Sequence, residues 1–307
     1  AAALAADAWG RVRGEPGVCI ATSGPGATNL LTGIANAAMD SAPLVAITGQ
    51  VGTEVLGTDA FQEVDVFGMT MPIVKHSYLL RDPQDIARTV HEAFAIARDG
   101  RPGPVLIDLP KNVQLAEVQP SAARPIAPQR APHVDERELV RALDLLSTAE
   151  RPLVYAGGGV AMAGAIEEFR RFVEESGLPC VTTLKGLGLL PREHDLFVGM
   201  LGMHGSAAAN ASVQGCDLLV VVGARFDDRA TMKLRGFAPD AKVLHLDVDP
   251  GEVGKLRAAD VRLLGDLKGA LRALTRRRRV AAWRDQCRAR KAACQADLGH
   301  PGPGVFA

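Results

Sequence analysis

Leu153-Val154-Tyr155-Ala156-Gly157-Gly158-Gly159 is the stretch on which the fold class turns. Residues suited to a buried strand run straight into three glycines, and residues 163–176 beyond them have helical spacing. A strand passing through a glycine turn into a helix opens a parallel α/β unit. Outward from it, strand-like runs recur at 180–184, 217–222, 243–248 and 261–264, with helical patterns at 135–148 and 205–214. Upstream, 18–22, 44–48 and 105–109 read as buried strands, and 27–39 and 83–98 as helices. In the second of these helices Asp82 caps, Pro83 suits the first turn, Gly100 stops, and Ile86, Val90, Ala93 and Ala97 form the inward stripe. Strands joined by crossover helices run parallel. The expected class is therefore α/β, with two open parallel-sheet domains.

The first domain is expected over 1–118 and the second over 134–275. Between them, 119–133 holds four prolines and little periodicity, which predicts a stiff, extended linker. The tail 276–307 reads as helical and very basic. Ala1 falls within a helical pattern, so the chain reads as having lost its natural beginning.

A length of 307 residues suits about two domains. Thirty-five basic and 35 acidic side chains cancel, and aromatic residues make up 4 %, so neither a nucleic-acid footprint nor a stacking platform is expected. Cys19, Cys180, Cys216, Cys287 and Cys294 form no C-x-x-C pair and read as reduced thiols of a cytoplasmic protein. No apolar run is long enough to cross a bilayer, and no membrane partner is expected.

Glycines 157–159 let a backbone turn tightly and approach a phosphate at a helix N-terminus. The dinucleotide fingerprint G-x-G-x-x-G fails, since Met162 stands at its last position. Arg225 after one strand and Asp247 at another suit a phosphate and a ribose or base; a surface ion pair is the competing reading of each. Ala21-Thr22-Ser23-Gly24-Pro25-Gly26 leads a strand into a helix but is no nucleophile elbow, because Ala and Pro stand where G-x-S-x-G needs glycines. His76, His91 and His204 lack metal-ligand spacing. The basic run 276–279, with Arg284, Arg288, Arg290 and Lys291, reads as a solvated helix face.

Together the blocks CIATSGPGATNLLTGIANAAMDSAPLVAITGQV, GTDAFQEVDVFGMTMPIVKHSYLL, GRPGPVLIDLPKNVQ, TLKGLG, LGMHGS and GARFDDRATMKL resemble the large catalytic subunit of the acetolactate (acetohydroxyacid) synthase family. The resemblance runs from Ala1 to about residue 275. It implies a pyrimidine-binding domain and a central FAD-binding domain here, with the family's diphosphate-binding domain absent. The implied reaction is a transferase's decarboxylating condensation of pyruvate with a second 2-ketoacid, pyruvate or 2-ketobutyrate, in branched-chain amino-acid biosynthesis. The implied cofactors are thiamine diphosphate, FAD and Mg2+, and the implied partners are 2-ketoacids, a homodimer or homotetramer, and a small regulatory subunit.

Residue by residue, the resemblance puts Gln62 beside the thiamine and substrate. Gln50, Phe61 and Lys111 resemble lining residues of the access channel, and Lys75 a lysine near the channel entrance where herbicides bind in relatives. FAD contacts carry over onto Ser41, Arg101, Gly158, Thr183, Leu184, Leu201, Gly202, Met203, His204, Gly223, Ala224, Arg225, Phe226, Asp227, Asp247, Val248, Asp266 and Leu267. Gly52 departs from a common proline and Ala224 from a common valine. The family's His-Glu-Gln, whose glutamate activates the aminopyrimidine, would end just before Ala1. Its metal-binding Gly-Asp-Gly is not matched at Gly265-Asp266-Leu267. No metal ligand is therefore expected within these residues, and the fragment itself is expected to be inactive. Another thiamine-diphosphate carboligase or decarboxylase, such as glyoxylate carboligase, is the alternative enzyme, although Gln50-Val51 and the run 57–62 favour acetolactate synthase. A non-catalytic nucleotide-binding module is the alternative outside the enzymes.

Overall fold

The computed structural model describes residues 1–119, 124, 126, 127, 129 and 131–297, with side chains to residue 294. Much of the expected linker and the Gly-His-Pro-Gly-Pro-Gly ending thus lie outside the described residues. The chain divides into two units, Ala1–Arg130 and Ala131–Ala307.

In the first unit four parallel strands, β1 (Gly17–Ala21), β2 (Leu44–Gln50), β3 (His76–Leu79) and β4 (Pro104–Pro110), lie in the order β1-β2-β4-β3. The side chains alternate between two apolar layers, as the pleat requires. Leu44, Ala46 and Leu106 point into one core with Ile34 and Ala37 of helix Leu31–Asp40. Val45, Val105 and Ile107 point into the other, beneath Ala93 and Ala97 of helix Ile86–Arg98. That second layer stops short of β1, where Val18 and Ile20 stay exposed. The Asp82 carboxylate accepts from the Gln84 amide, as expected of a cap. The helix expected at 27–39 is instead two, Pro25–Thr28 and Leu31–Asp40.

The second unit is a six-stranded parallel sheet of β5 (Pro152–Ala156), β6 (Cys180–Thr182), β7 (Phe197–Met200), β8 (Leu218–Val222), β9 (Lys242–Asp247) and β10 (Val261–Leu264), in the order β10-β9-β8-β5-β6-β7. From β5 the chain winds outward through β6 to β7, then returns to β8 on the other side and continues to β10. Leu218, Val220 and Val222 face one core and Leu219 and Val221 the other. A sheet apolar on both faces needs a helical layer on each. Phe169 and Phe172 of helix Ile166–Ser176 and Leu271 and Leu274 of helix Leu267–Leu274 fill the first layer.

The opposite layer brings a finding that the sequence pattern hides. The expected solvated basic face is there, with Arg276, Arg277, Arg279 and Arg288 exposed, but the helix that carries part of it has a second, buried face. Helix Ala281–Asp297 buries Trp283 and Cys287 in the second core beside Val213 of helix Ala207–Gly215. The Trp283 indole N–H donates to the Pro152 carbonyl at 2.9 Å, and the Arg290 guanidinium lies 5.3 Å from the ring. Trp283→Ala should therefore cost about 3–5 kcal/mol through the cavity and the lost hydrogen bond. Urea denaturation followed by far-UV circular dichroism measures it, and an unchanged midpoint would show that the helix is not part of the core.

Candidate functional site

All strands of each sheet run the same way, so each sheet has one carboxyl edge, and ligands of open α/β sheets bind outside that edge where the strand order reverses. In the second unit the reversal falls between β5 and β8. The loops after both strands touch there through glycines. A Cβ on Gly157 would stand 2.3 Å from the Gly223 carbonyl oxygen, and one on Gly159 would stand 2.8 Å from the Gly223 Cα. Gly223 also has φ +56°, a conformation that glycine adopts without strain.

This geometry corrects one expectation. The Gly157 amide donates to the Val222 carbonyl and the Gly159 amide to the Gly223 carbonyl, at 2.9 and 3.0 Å. These two N–H groups are spent on holding the loops together and do not cradle a phosphate.

Every residue assigned to FAD in this unit lies at or just beyond a strand's carboxyl end. Gly158 follows β5; Thr183 and Leu184 follow β6; Leu201, Gly202, Met203 and His204 follow β7. Gly223, Ala224, Arg225, Phe226 and Asp227 follow β8, Asp247 and Val248 stand at the end of β9, and Asp266 and Leu267 come after β10. The structure thus brings this set to one edge. Their jobs differ, however. Asp227 and Asp266 are helix caps whose carboxylates accept backbone N–H groups of Arg229 and Ala230, and of Lys268 and Gly269. Phe226 is buried edge-on against Tyr155 and His245. His245 turns Nε2 to the Ala224 carbonyl at 3.0 Å, and burial holds its pKa below the ordinary value against that hydrogen bond and the Glu252 charge. Burial also raises the Asp247 pKa, against the opposing N–H bonds of Asp249 and Val248.

Two observations fit a large flat cofactor at this edge. Apolar side chains stand exposed there, Leu184 at 71 % and Met203 at 50 %. The buried Thr182 Oγ1 and His245 Nδ1 near the ends of β6 and β9 have no hydrogen-bond partner among the described residues.

In the first unit the thiamine-side residues gather at the carboxyl edge of the smaller sheet. Phe61 and Gln62 sit on a loop whose Asp59 and Gln62 both have positive φ, +58° and +62°. Such backbone in non-glycine residues is held only by its surroundings. Here the holder is Glu63, whose carboxylate accepts from the Gly57 and Ala60 amides; these bonds, Gly57 first, lower its pKa. Gln62 lies against Gly24, where a Cβ would come within 3.0 Å of it. Phe61 is 89 % exposed, and Lys111 is exposed at the start of helix Lys111–Leu115.

Gln50 is placed differently from the expectation of a channel wall. Its side chain is buried, with the amide N–H group donating to the Val64 carbonyl at 2.8 Å and to Asp108 at 3.0 Å, while its oxygen accepts from the Val51 amide at 2.9 Å. It clamps the loop that carries Gln62. Asp108, 1 % exposed, also accepts from the Thr48 hydroxyl at 2.6 Å. Asp108 and Thr48 were not singled out as candidates, although a lone acid inside the strand Val-Leu-Ile-Asp-Leu was a legible signal. Ser41 and Arg101, expected as FAD contacts, bond to each other at 2.8 Å near the amino edge of this sheet, away from Gln62. Lys75 donates to the Ile96 and Asp99 carbonyls at the end of helix Ile86–Arg98. Cys19 and Cys216 are buried, which pushes their thiols up to about 11 and about 12, and all five cysteines are free. Among the described residues no three His, Cys, Asp or Glu side chains converge as a metal site, and no helix is long and apolar enough to cross a membrane.

Two sheets with ligand-ready carboxyl edges define a cofactor-binding α/β chain, and family comparison gives its class. Residues 1–69 match the thiamine pyrophosphate enzyme N-terminal TPP binding domain, and residues 139–274 match the thiamine pyrophosphate enzyme central domain. The chain belongs to the thiamine pyrophosphate enzymes. It is 48 % identical over 308 residues to the acetolactate synthase isozyme 2 large subunit of Escherichia coli K12, covering 100 % of this chain and 56 % of that relative. It is 52 % identical to the acetolactate synthase large subunit of Parasynechococcus marenigrum, covering 91 % and 47 %, and 50 % identical to that of Corynebacterium glutamicum, covering 87 % and 43 %. The chain spans about half the length of the curated relatives it matches.

Burial is the main cause that raises the Asp108 pKa, and the Thr48 and Gln50 hydrogen bonds oppose it. The fold therefore binds this proton more tightly than the unfolded chain does. The resulting stability is fullest below the ordinary aspartate range and is lost as pH rises through the raised value. Asp108→Asn should remove that slope from stability-against-pH curves. Asp108→Ala should cost about 1–3 kcal/mol by leaving the Thr48 and Gln50 donors unpaired.

Proposed function

We propose that this chain is the pyrimidine-side and FAD-binding portion of an acetolactate synthase large subunit, a transferase that joins pyruvate to a second 2-ketoacid with loss of carbon dioxide. Its cofactors would be thiamine diphosphate, FAD and Mg2+. The assembled enzyme would be a homo-oligomer of the cytoplasm, joined by a small regulatory subunit. The observation that carries the reading is the position of the second unit's expected FAD residues along one sheet edge around the Gly157–Gly223 contact, in a chain about half identical to such subunits.

Thiamine diphosphate supplies, when bound, the carbanion chemistry for decarboxylation and carbon–carbon bond formation. The chain's own part is positional. Gln62, fixed at positive φ against Gly24, would face the thiazolium and substrate, with Phe61 and Lys111 lining the approach. Gln50 and Asp108 would hold that loop in register. Leu184 and Met203 would pack on the flavin, and Arg225 would meet its diphosphate. FAD would act here as a structural element.

By the resemblance, neither the carboxylate that activates the aminopyrimidine nor the Gly-Asp-Gly metal motif would fall within the 307 residues. General acid–base help contributes about 10²–10⁴-fold, and a diphosphate needs a cation held by oxygen ligands. The purified chain with pyruvate, Mg2+ and thiamine diphosphate is therefore expected to form no acetolactate, measured colorimetrically after acid conversion to acetoin. A version extended at both ends should be active, and equal rates would sink the assignment of roles. Flavin fluorescence should show saturable FAD binding to the chain as it stands. Arg225→Ala should weaken it by about 1.5–3 kcal/mol through loss of a charged hydrogen bond; unchanged affinity would remove Arg225 from the site.

A further inference from the structure

The second unit has another cleft, at the edge of the sheet opposite the carboxyl ends. Helix Ile166–Ser176 runs back from the carboxyl edge, and its last turn, with Gly177, forms one wall. Arg277, Arg278 and Arg279, Arg284 and the first turn of helix Ala281–Asp297 form the other. The cleft measures about 900 Å³.

Its electrostatics are unfinished. Arg278 Nε and Nη2, together with Arg284 Nε, are shut off from solvent and have no hydrogen-bond partner among the described residues. Arg284 Nε is ion-paired with the Asp285 carboxylate at 3.7 Å but not hydrogen-bonded to it, so Arg278 is the cation left without an acidic partner among the described residues. Burial first, and repulsion from Arg276 second, lower the Arg278 pKa, yet a guanidinium does not give up its proton in a protein. Occluded, unpaired donors on a fixed cation are costly. Of the two carboxylates on the opposite wall, Glu175 bonds to Arg171 at 2.8 Å and Glu174 lies 3.6 Å from the His194 ring, and both remain open to solvent. The first N–H groups of a 17-residue helix add a partial positive charge.

We propose that this cleft binds a small multivalent anion of the phosphate class, with the Arg278 fork and Arg284 as its principal ligands. Among the described lining residues none is aromatic, so the cleft recognises phosphate groups and offers no platform for a base. The site is separate from the proposed FAD edge and does not depend on that assignment.

The test is calorimetric titration of the full 307-residue chain with pyrophosphate, orthophosphate, sulfate and ADP at fixed ionic strength. Saturable one-to-one binding is expected, with pyrophosphate tighter than orthophosphate and ADP no tighter than pyrophosphate. Arg278→Gln and Arg284→Gln should each weaken pyrophosphate by about tenfold or more, since each removes a charge-assisted donor. Arg235→Gln, on the exposed surface, should not. Circular dichroism establishes that each variant is folded, and Arg278→Lys, which keeps the charge and loses the fork, serves if Arg278→Gln is not. No saturable heat, equal binding of sulfate and pyrophosphate, or affinity untouched by both arginine changes would overturn the proposal. So would ADP binding tighter than pyrophosphate and abolished by Arg225→Ala, which would move the anion to the carboxyl edge.

Discussion

The second unit depends on one backbone contact, the abutment of Gly157 and Gly159 on Gly223 at the ends of its two central strands. Parallel strands cannot diverge to admit a side chain there without breaking the hydrogen bonds from Gly157 and Gly159 that close the ladder beyond the sheet. Because the loops are fixed to each other, the residues behind them inherit fixed positions. Tyr155 and Phe226 interlock edge to face below, at 5.7 Å between centroids, and His245 packs against the same phenyl ring at 5.5 Å. The outer loops after β6, β7, β9 and β10 then extend one continuous edge.

Much of this was legible because parallel sheets buried on both faces spell themselves as short apolar runs between glycines. β5, β8 and β10 were read close to their observed ends. β3 and β7 were not, for a physical reason. Both are edge strands of four residues; His-Ser-Tyr-Leu lacks the apolar density of a central strand, and Gly199 interrupts Phe-Val-Gly-Met. Helix Leu267–Leu274 was missed because Gly269 interrupts its pattern, although Asp266 was there to cap it. Helix Ala281–Asp297 was seen, but its burial was hidden by its arginines. Among the described residues Trp283, Cys287 and Cys294 mark the inner face, too sparse between the arginines to make a clear periodic signal.

The candidate site divides in the same way. Glycines and strand-end residues could be placed from sequence, because position along a strand fixes position along the sheet edge. What an individual polar side chain does there could not. Gln50 and Asp108 stand 58 residues apart and meet only because β2 and β4 are neighbours. The carboxylates of Asp227 and Asp266, two residues expected among the FAD contacts, satisfy helix N-termini. A cap and a ligand contact draw on the same residue types, Asp above all, so composition cannot separate them.

The uncovered side of β1 has a consequence for how the chain behaves among its own copies. Val18 and Ile20 lie on an edge strand whose outer hydrogen-bonding groups have no neighbouring strand among the described residues, and Leu4, Trp9 and Val12 of helix Ala2–Arg13 are also exposed. An apolar strand edge is a template for intermolecular pairing. The usual protection is charge repulsion, but 35 acidic and 35 basic groups cancel and the isoelectric point is about 7.2. Near neutral pH the molecule has therefore almost no long-range repulsion with which to shield this edge. Its colloidal stability is lowest there and rises on either side, as protons are gained or lost.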